Sequence, residues 1–142
     1  MSPVRTVSRR RALALLAAAL AVVACNKSDA ATEPVWGKEP CAHCKMLVSD
    51  KRYAAQLVDD AGEHRFFDDV GCMVLFMEGK KPPERAWARE STAGVWVDAR
   101  TAKYVQGART PMDFGFEARA DATIAFEVVR VAVLEKKRRA AR

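Results

Sequence analysis

Ala12 to Ala24 runs for 13 residues without one polar side chain, behind Arg5, Arg9, Arg10 and Arg11 and directly ahead of Cys25. At about 1.5 Å per residue, an apolar helix of that length falls well short of the roughly 30 Å hydrocarbon core. A spanning helix needs about 20 residues, whereas the apolar core of a signal peptide needs no more than this run supplies. Val22-Val23-Ala24-Cys25 has the bulky first and small last positions of a lipobox, where cleavage precedes a lipid-carrying cysteine. Residues 1–24 are therefore expected to be a lipoprotein signal peptide, with Cys25 lipidated at the periplasmic face of a membrane. The alternative is an ordinary signal peptide cut near Ala30-Ala31. Ser8-Arg9-Arg10-Arg11-Ala12-Leu13 also has the look of a twin-arginine export signal, without the usual Phe.

The chain carries a formal net charge of +6, which first suggests a nucleic-acid binder. Its distribution removes that suggestion. Four of the basic residues lie in residues 1–24 and five in 136–142, neither stretch holding an acid. Residues 25–135 keep 15 basic residues against 18 acidic, a net of −3, and so lack the electrostatic footprint that phosphate backbones require. The basic C-terminal end reads as a solvated tail, with contact to anionic lipid as the sharper alternative.

Residues 25–34 are a polar tether without apolar period, and residues 35–138 are long enough for one small domain with a modest core, followed by a basic tail over 139–142. Strand signals occur at Met46-Leu47-Val48, Ala54 to Val58, and His64 to Phe67, with a turn at Asp59-Asp60-Ala61-Gly62. Asp68-Asp69 stands where a cap is needed for a helix over Val70 to Glu78, and Gly79 stops it. Further strands are expected at Ala86-Trp87-Ala88, Gly94 to Val97 and Phe114 to Ala118. A short helix over Ala99 to Gln106, capped by Asp98, separates the last two. Ala120 to Arg138 is helical at its charged end, but its β-branched stretch Ile124 to Val133 leaves its type open. The expected fold is an α+β protein of two successive β-β-α-β-like units in a single small globule.

Cys41-Ala42-His43-Cys44-Lys45-Met46 is the densest group of soft ligands in the chain. Thiolate and thioether sulfur prefer Cu(I), which accepts few ligands, over hard cations. An extended Cys44-Lys45-Met46 would place both sulfurs on one face. Three other readings compete: a redox disulfide between Cys41 and Cys44, half of a zinc site, or a structural bridge. The redox reading wants the pair at a helix start, and the residues that follow read as a strand instead. The zinc reading wants a second paired motif, and only Cys72, His43 and His64 remain to complete a set of four. In Phe67-Asp68-Asp69-Val70-Gly71-Cys72 the default readings are a helix cap and a buried small thiol. Met73 and Met77 are core candidates. Met112, in the polar loop Arg109-Thr110-Pro111-Met112-Asp113, has no packing role in the local pattern and is a candidate ligand. No nucleophile–base constellation, phosphate loop or dinucleotide fingerprint is present, so a binding protein is expected and not an enzyme.

In order and spacing these pieces resemble the NosL family of nitrous oxide reductase accessory lipoproteins. The resemblance rests on Cys25, Trp36-Gly37-Lys38-Glu39-Pro40, the Cys41-to-Met46 cluster, Arg52-Tyr53-Ala54-Ala55-Gln56, Phe67-to-Cys72, Trp96-Val97-Asp98-Ala99 and Thr110-Pro111-Met112 with Gly115-Phe116. It covers roughly residues 35–120. It implies a copper(I) metallochaperone that supplies nitrous oxide reductase and docks with a membrane transport complex, on a fold like a domain of organomercurial lyase. The implied ligands are Cys44, Met46 and Met112, with Cys41 and His43 close enough to assist and Cys72 less securely placed. The chain departs from the family pattern after Val128, running into Lys136-Lys137-Arg138-Arg139 without the usual Gly-Gly turn and further strand. A few-coordinate donor site of this kind is expected to be exposed on a loop or strand end.

Overall fold

The computed structural model describes residues 30–142, so the expected signal peptide and Cys25 lie outside the described residues. The first hairpin forms where the period-two pattern meets a turn signal. Strand β1 (Ala55–Val58) pairs antiparallel with β2 (His64–Phe67), Ala55 opposite Phe67 and Val58 opposite His64. The Asp59 carboxylate closes the turn, Oδ1 accepting the N–H groups of Ala61 and Glu63 at 2.9 and 3.0 Å.

Helix α1 (Val70–Met77) leaves β2 at once and carries no charged residue. Asp69 caps it, its carboxylate accepting the Gly71 N–H. A helix without a polar face must be covered on all sides, and Val70 through Val74 are buried. The chain returns as β3 (Arg85–Arg89) beside β1, and β4 (Trp96–Asp98) adds outside β3, so the sheet order is β2-β1-β3-β4, all antiparallel. The run β1-β2-α1-β3 is the expected β-β-α-β unit.

A second antiparallel sheet has β5 (Lys103–Gln106) between β6 (Phe116–Ala118) and β7 (Ile124–Ala125). One parallel bridge, Glu90 to Ala118, ties it to the first sheet. Helix α2 (Phe126–Ala140) follows β7 directly. Its Phe126, Val129 and Val133 are buried at helical spacing and pack toward α1 and β5. Lys137, Arg138 and Arg139 sit in its last turn, where cations oppose the helix dipole. Lys137 also pairs with Glu78 just past the end of α1. The chain is thus a small α+β globule with its core between two sheets and two helices. No helix among the described residues is long and apolar enough to cross a membrane.

Two local expectations are corrected, and one left open is settled. Residues 99–106 do not form a helix: Asp98 Oδ1 accepts from the backbone N–H of Arg100 and Thr101 in a turn, and the chain then enters β5. Tyr104 decides this, because as part of the central strand it is fully buried with its hydroxyl donating to Ala99 O at 2.7 Å. Met46-Leu47-Val48 is not a strand either, and only Leu47 makes a bridge, to Pro40. The β-branched segment after Ile124 is helical, because Val129 and Val133 gain burial against α1 that outweighs their weak helix preference.

Candidate metal centre

The cysteine turn is closed by its own backbone. Cys41 N–H donates to Met46 O at 2.7 Å, and Lys45 N–H donates to Cys41 O at 3.0 Å. Lys45 has φ of 68°, a left-handed conformation that L residues with side chains rarely adopt. The alternation expected for Cys44-Lys45-Met46 therefore fails, and these residues are not extended. Two outside bonds seat the turn. Ala42 N–H donates to Phe66 O on the edge of β2 at 2.8 Å, and Ser49 N–H donates to Asp68 Oδ1 at 3.0 Å.

Cys72 reaches the same place from the first turn of α1, its N–H bonded to Asp69 O at 2.9 Å. The Sγ atoms of Cys41, Cys44 and Cys72 all lie within 4.8 Å of one another, and all three thiols are free. Three sulfurs bound at about 2.3 Å around one ion in a plane would stand about 4 Å apart, so the triangle closes on a thiophilic metal with sub-ångström shifts. Cys41 and Cys72 are fully buried, and Cys44 is partly exposed. An exposed loop site was expected, and this one is largely enclosed with Cys44 at its open edge. The burial follows from Cys72, which can enter the cluster only from within the core.

The electrostatics single out one thiolate. The Cys72 thiol donates to Cys41 Sγ, as do the backbone N–H groups of Cys44, Asp68 and His43. The Cys72 bond is the largest of these influences, and together they outweigh burial and pull Cys41 down to about 4. Cys72 is pushed far up, first by that same bond to Cys41 and then by burial. Burial also raises Cys44, although the Met46 N–H donates to its sulfur. Asp68 is raised by burial above all, against the N–H groups of Ser49 and Asp50 and with the Cys41 charge adding to the rise. Asp69 is raised by burial despite four donors. Low-pKa thiolates held by backbone N–H groups are the form in which cysteine binds metals and attacks disulfides.

The other candidate ligands are distributed around this cluster. His43 is exposed in the turn and, among the described residues, is no member of the thiol triangle. Met46 follows the turn, 53% exposed. Met112 is half-buried against the core, and its N–H donates to Asp69 Oδ2 at 3.3 Å. Met73 is buried core, as its helical position suggests. Cys41 also borders a cleft of about 330 Å³ with Glu39, Lys45, His64 and Phe66. Cys72 is the member that sequence reasoning placed least firmly. Its signal is the Asp69-x-x-Cys72 spacing, which puts a thiol in the first turn of a capped helix that leaves β2 at once.

No protein-family model, curated protein or solved structure matches the chain. Fold and site together define a class: a small α+β protein with a three-thiol centre able to hold a metal ion.

Proposed function

We propose that the protein is a copper(I) carrier that receives the ion at Cys41, Cys44 and Cys72 and delivers it to a copper enzyme outside the cytoplasm. The observation that carries this reading is the convergence of three sulfurs within 4.8 Å with one of them partly exposed. Three soft donors with no carboxylate or imidazole in the set favour a thiophilic, few-coordinate ion over a hard one. Four protein ligands would be the norm for structural zinc. Transfer needs an open edge, and Cys44 with exposed Met46 beside it supplies one where an acceptor sulfur can attack and exchange ligands in steps. Met46 and Met112 complete or replace ligands during exchange, and His43 assists from the turn.

The resemblance to the NosL family adds the client and the place. In this reading the protein is anchored through Cys25 at the periplasmic face and serves nitrous oxide reductase through its membrane transport and assembly complex. It is a carrier and not a catalyst. The low pKa of Cys41 favours a second reading, a thiol–disulfide oxidoreductase, which would use Cys41 with Cys44 or Cys72 and need no methionine. A zinc-stabilised binding lipoprotein is the third.

Anaerobic Cu(I) titration of the reduced protein against a competing chelator separates them. One-to-one binding that Cys44→Ser and Cys72→Ser both weaken is the expected result. Absence of tight Cu(I) binding in the unaltered chain would sink the carrier reading. Retained binding in Cys72→Ser would remove the helix thiol from the site.

A further inference from the structure

A helix cap needs one or two donors from its own first turn, and Asp69 holds more than that. Its carboxylate accepts the Gly71 N–H at 2.7 Å, and it also accepts the Met112 N–H at 3.3 Å, the Thr110 hydroxyl and the Phe114 N–H. Three of these four donors come from the 110–114 loop, about forty positions away in the chain. The backbone carbonyl of the same residue accepts the Cys72 N–H at 2.9 Å. Asp69 is fully buried, so each lost donor would leave a carboxylate oxygen without water to replace it.

A second device acts on the same turn. A Cβ at Gly71 would lie 2.2 Å from the Phe114 ring, so Phe114 packs against the helix where only glycine leaves room. The loop is also closed on itself, with Gly115 N–H on Thr110 Oγ1 at 3.1 Å and Asp113 N–H on Thr110 O at 2.9 Å. A loop with three of its residues bonded to one carboxylate and a ring seated on the helix is fixed in relation to Cys72.

We infer that Asp69, with the Gly71–Phe114 contact, is a latch that sets the position of the Met112 thioether relative to the thiol cluster. Asp69 is then a positioning residue for a fourth sulfur ligand and acts through Met112. This rests on the copper-carrier reading. The latch ties the one candidate ligand from the second half of the chain to the helix that bears the buried Cys72. Cu(I) held by the cysteines would thereby find Met112 on a loop already bonded to that helix, without ordering a free loop at the moment of binding.

A double-mutant cycle on the full-length protein tests it, with Cu(I) affinity read by anaerobic competition. Asp69→Asn is expected to weaken Cu(I) about 10-fold, a size usual for partners that orient a metal ligand. In a Met112→Ala background the same change should have almost no further effect. X-ray absorption of the Cu(I) form should show loss of one sulfur neighbour in both single variants. Thr110→Val, which removes a loop-side donor and leaves the cap, is expected to repeat the pattern should Asp69→Asn fold poorly. Additive losses from Asp69→Asn and Met112→Ala would overturn the latch while leaving the carrier reading intact. An unaltered chain that binds no Cu(I) would overturn both.

Discussion

Ser49 donates its backbone N–H to Asp68 Oδ1 at 3.0 Å, fastening the outgoing leg of the cysteine turn to the residue pair that begins α1. The neighbouring Asp69 fastens the Met112 loop to the same helix start. Two adjacent carboxylates thus bring together segments separated by more than sixty residues.

Asp68→Ala is expected to destabilise the fold by about 1–3 kcal/mol, the cost of leaving a part-buried N–H unpaired. Urea unfolding would measure it. An unchanged midpoint would mean that water replaces the carboxylate and that the turn is held by Ala42 on Phe66 alone.

Lys45 holds a left-handed φ without being glycine. Lys45→Gly should therefore raise stability by about 1 kcal/mol, and Lys45→Val should lower it by at least as much, since β-branched residues fit that conformation worst. Thermal unfolding of the reduced protein distinguishes the three chains.

Gly71→Ala places a Cβ against the Phe114 ring. Overpacking of this kind costs about 1–3 kcal/mol. Phe114→Leu in the same chain should recover part of it, and a failure to recover would show that the helix start itself cannot shift.

Cys41 is held down near 4 by the Cys72 hydrogen bond, well below its unfolded value of 9.0. A group depressed on folding stabilises the native state above its unfolded pKa, and that contribution is lost as pH falls toward its folded pKa. Apo stability should accordingly rise between about pH 4 and pH 9 through this thiol. Cys41→Ser should flatten that rise. Above pH 9 the raised thiols of Cys44 and Cys72 work the other way, because the unfolded chain then releases protons that the native state keeps. Thiolate absorbance at 240 nm would follow the steps directly. Three thiols titrating together near their ordinary range would contradict the Cys72-to-Cys41 bond.

Burial contrasts along α2 give a control far from the thiols. Val133 is buried and Val131 is 48% exposed. Val133→Ala should cost about 2 kcal/mol, from lost transfer energy and an unfilled space, whereas Val131→Ala should be close to neutral. Both should leave Cu(I) affinity unchanged.

Much of the first half was legible in the residues. The Asp59-to-Gly62 turn, the β1–β2 hairpin and the Asp69 cap follow from local rules: alternation across a strand, a side chain closing a turn, and an acceptor where helix N–H groups lack partners. Cys41 and Cys44, three residues apart, announce a shared site by spacing alone. The failures lie where neighbours distant in sequence decide. Residues 99–106 carry a good local cap in Asp98, yet Tyr104 gains more from full burial in a central strand than a helix on the surface could return. The β-branched residues of Ile124 to Val133 left its type open, and packing against α1 makes most of it helix. The sequence by itself therefore determined the soft-ligand turn, the two carboxylates, the acidic body and an α+β class, because each depends on residues within a few positions of one another. Only the tertiary structure decided that Cys72 joins Cys41 and Cys44, that the cluster is mostly enclosed, and that the Met112 loop hangs on Asp69. Those contacts close long loops, and packing of the whole core repays their entropy where no local pattern can.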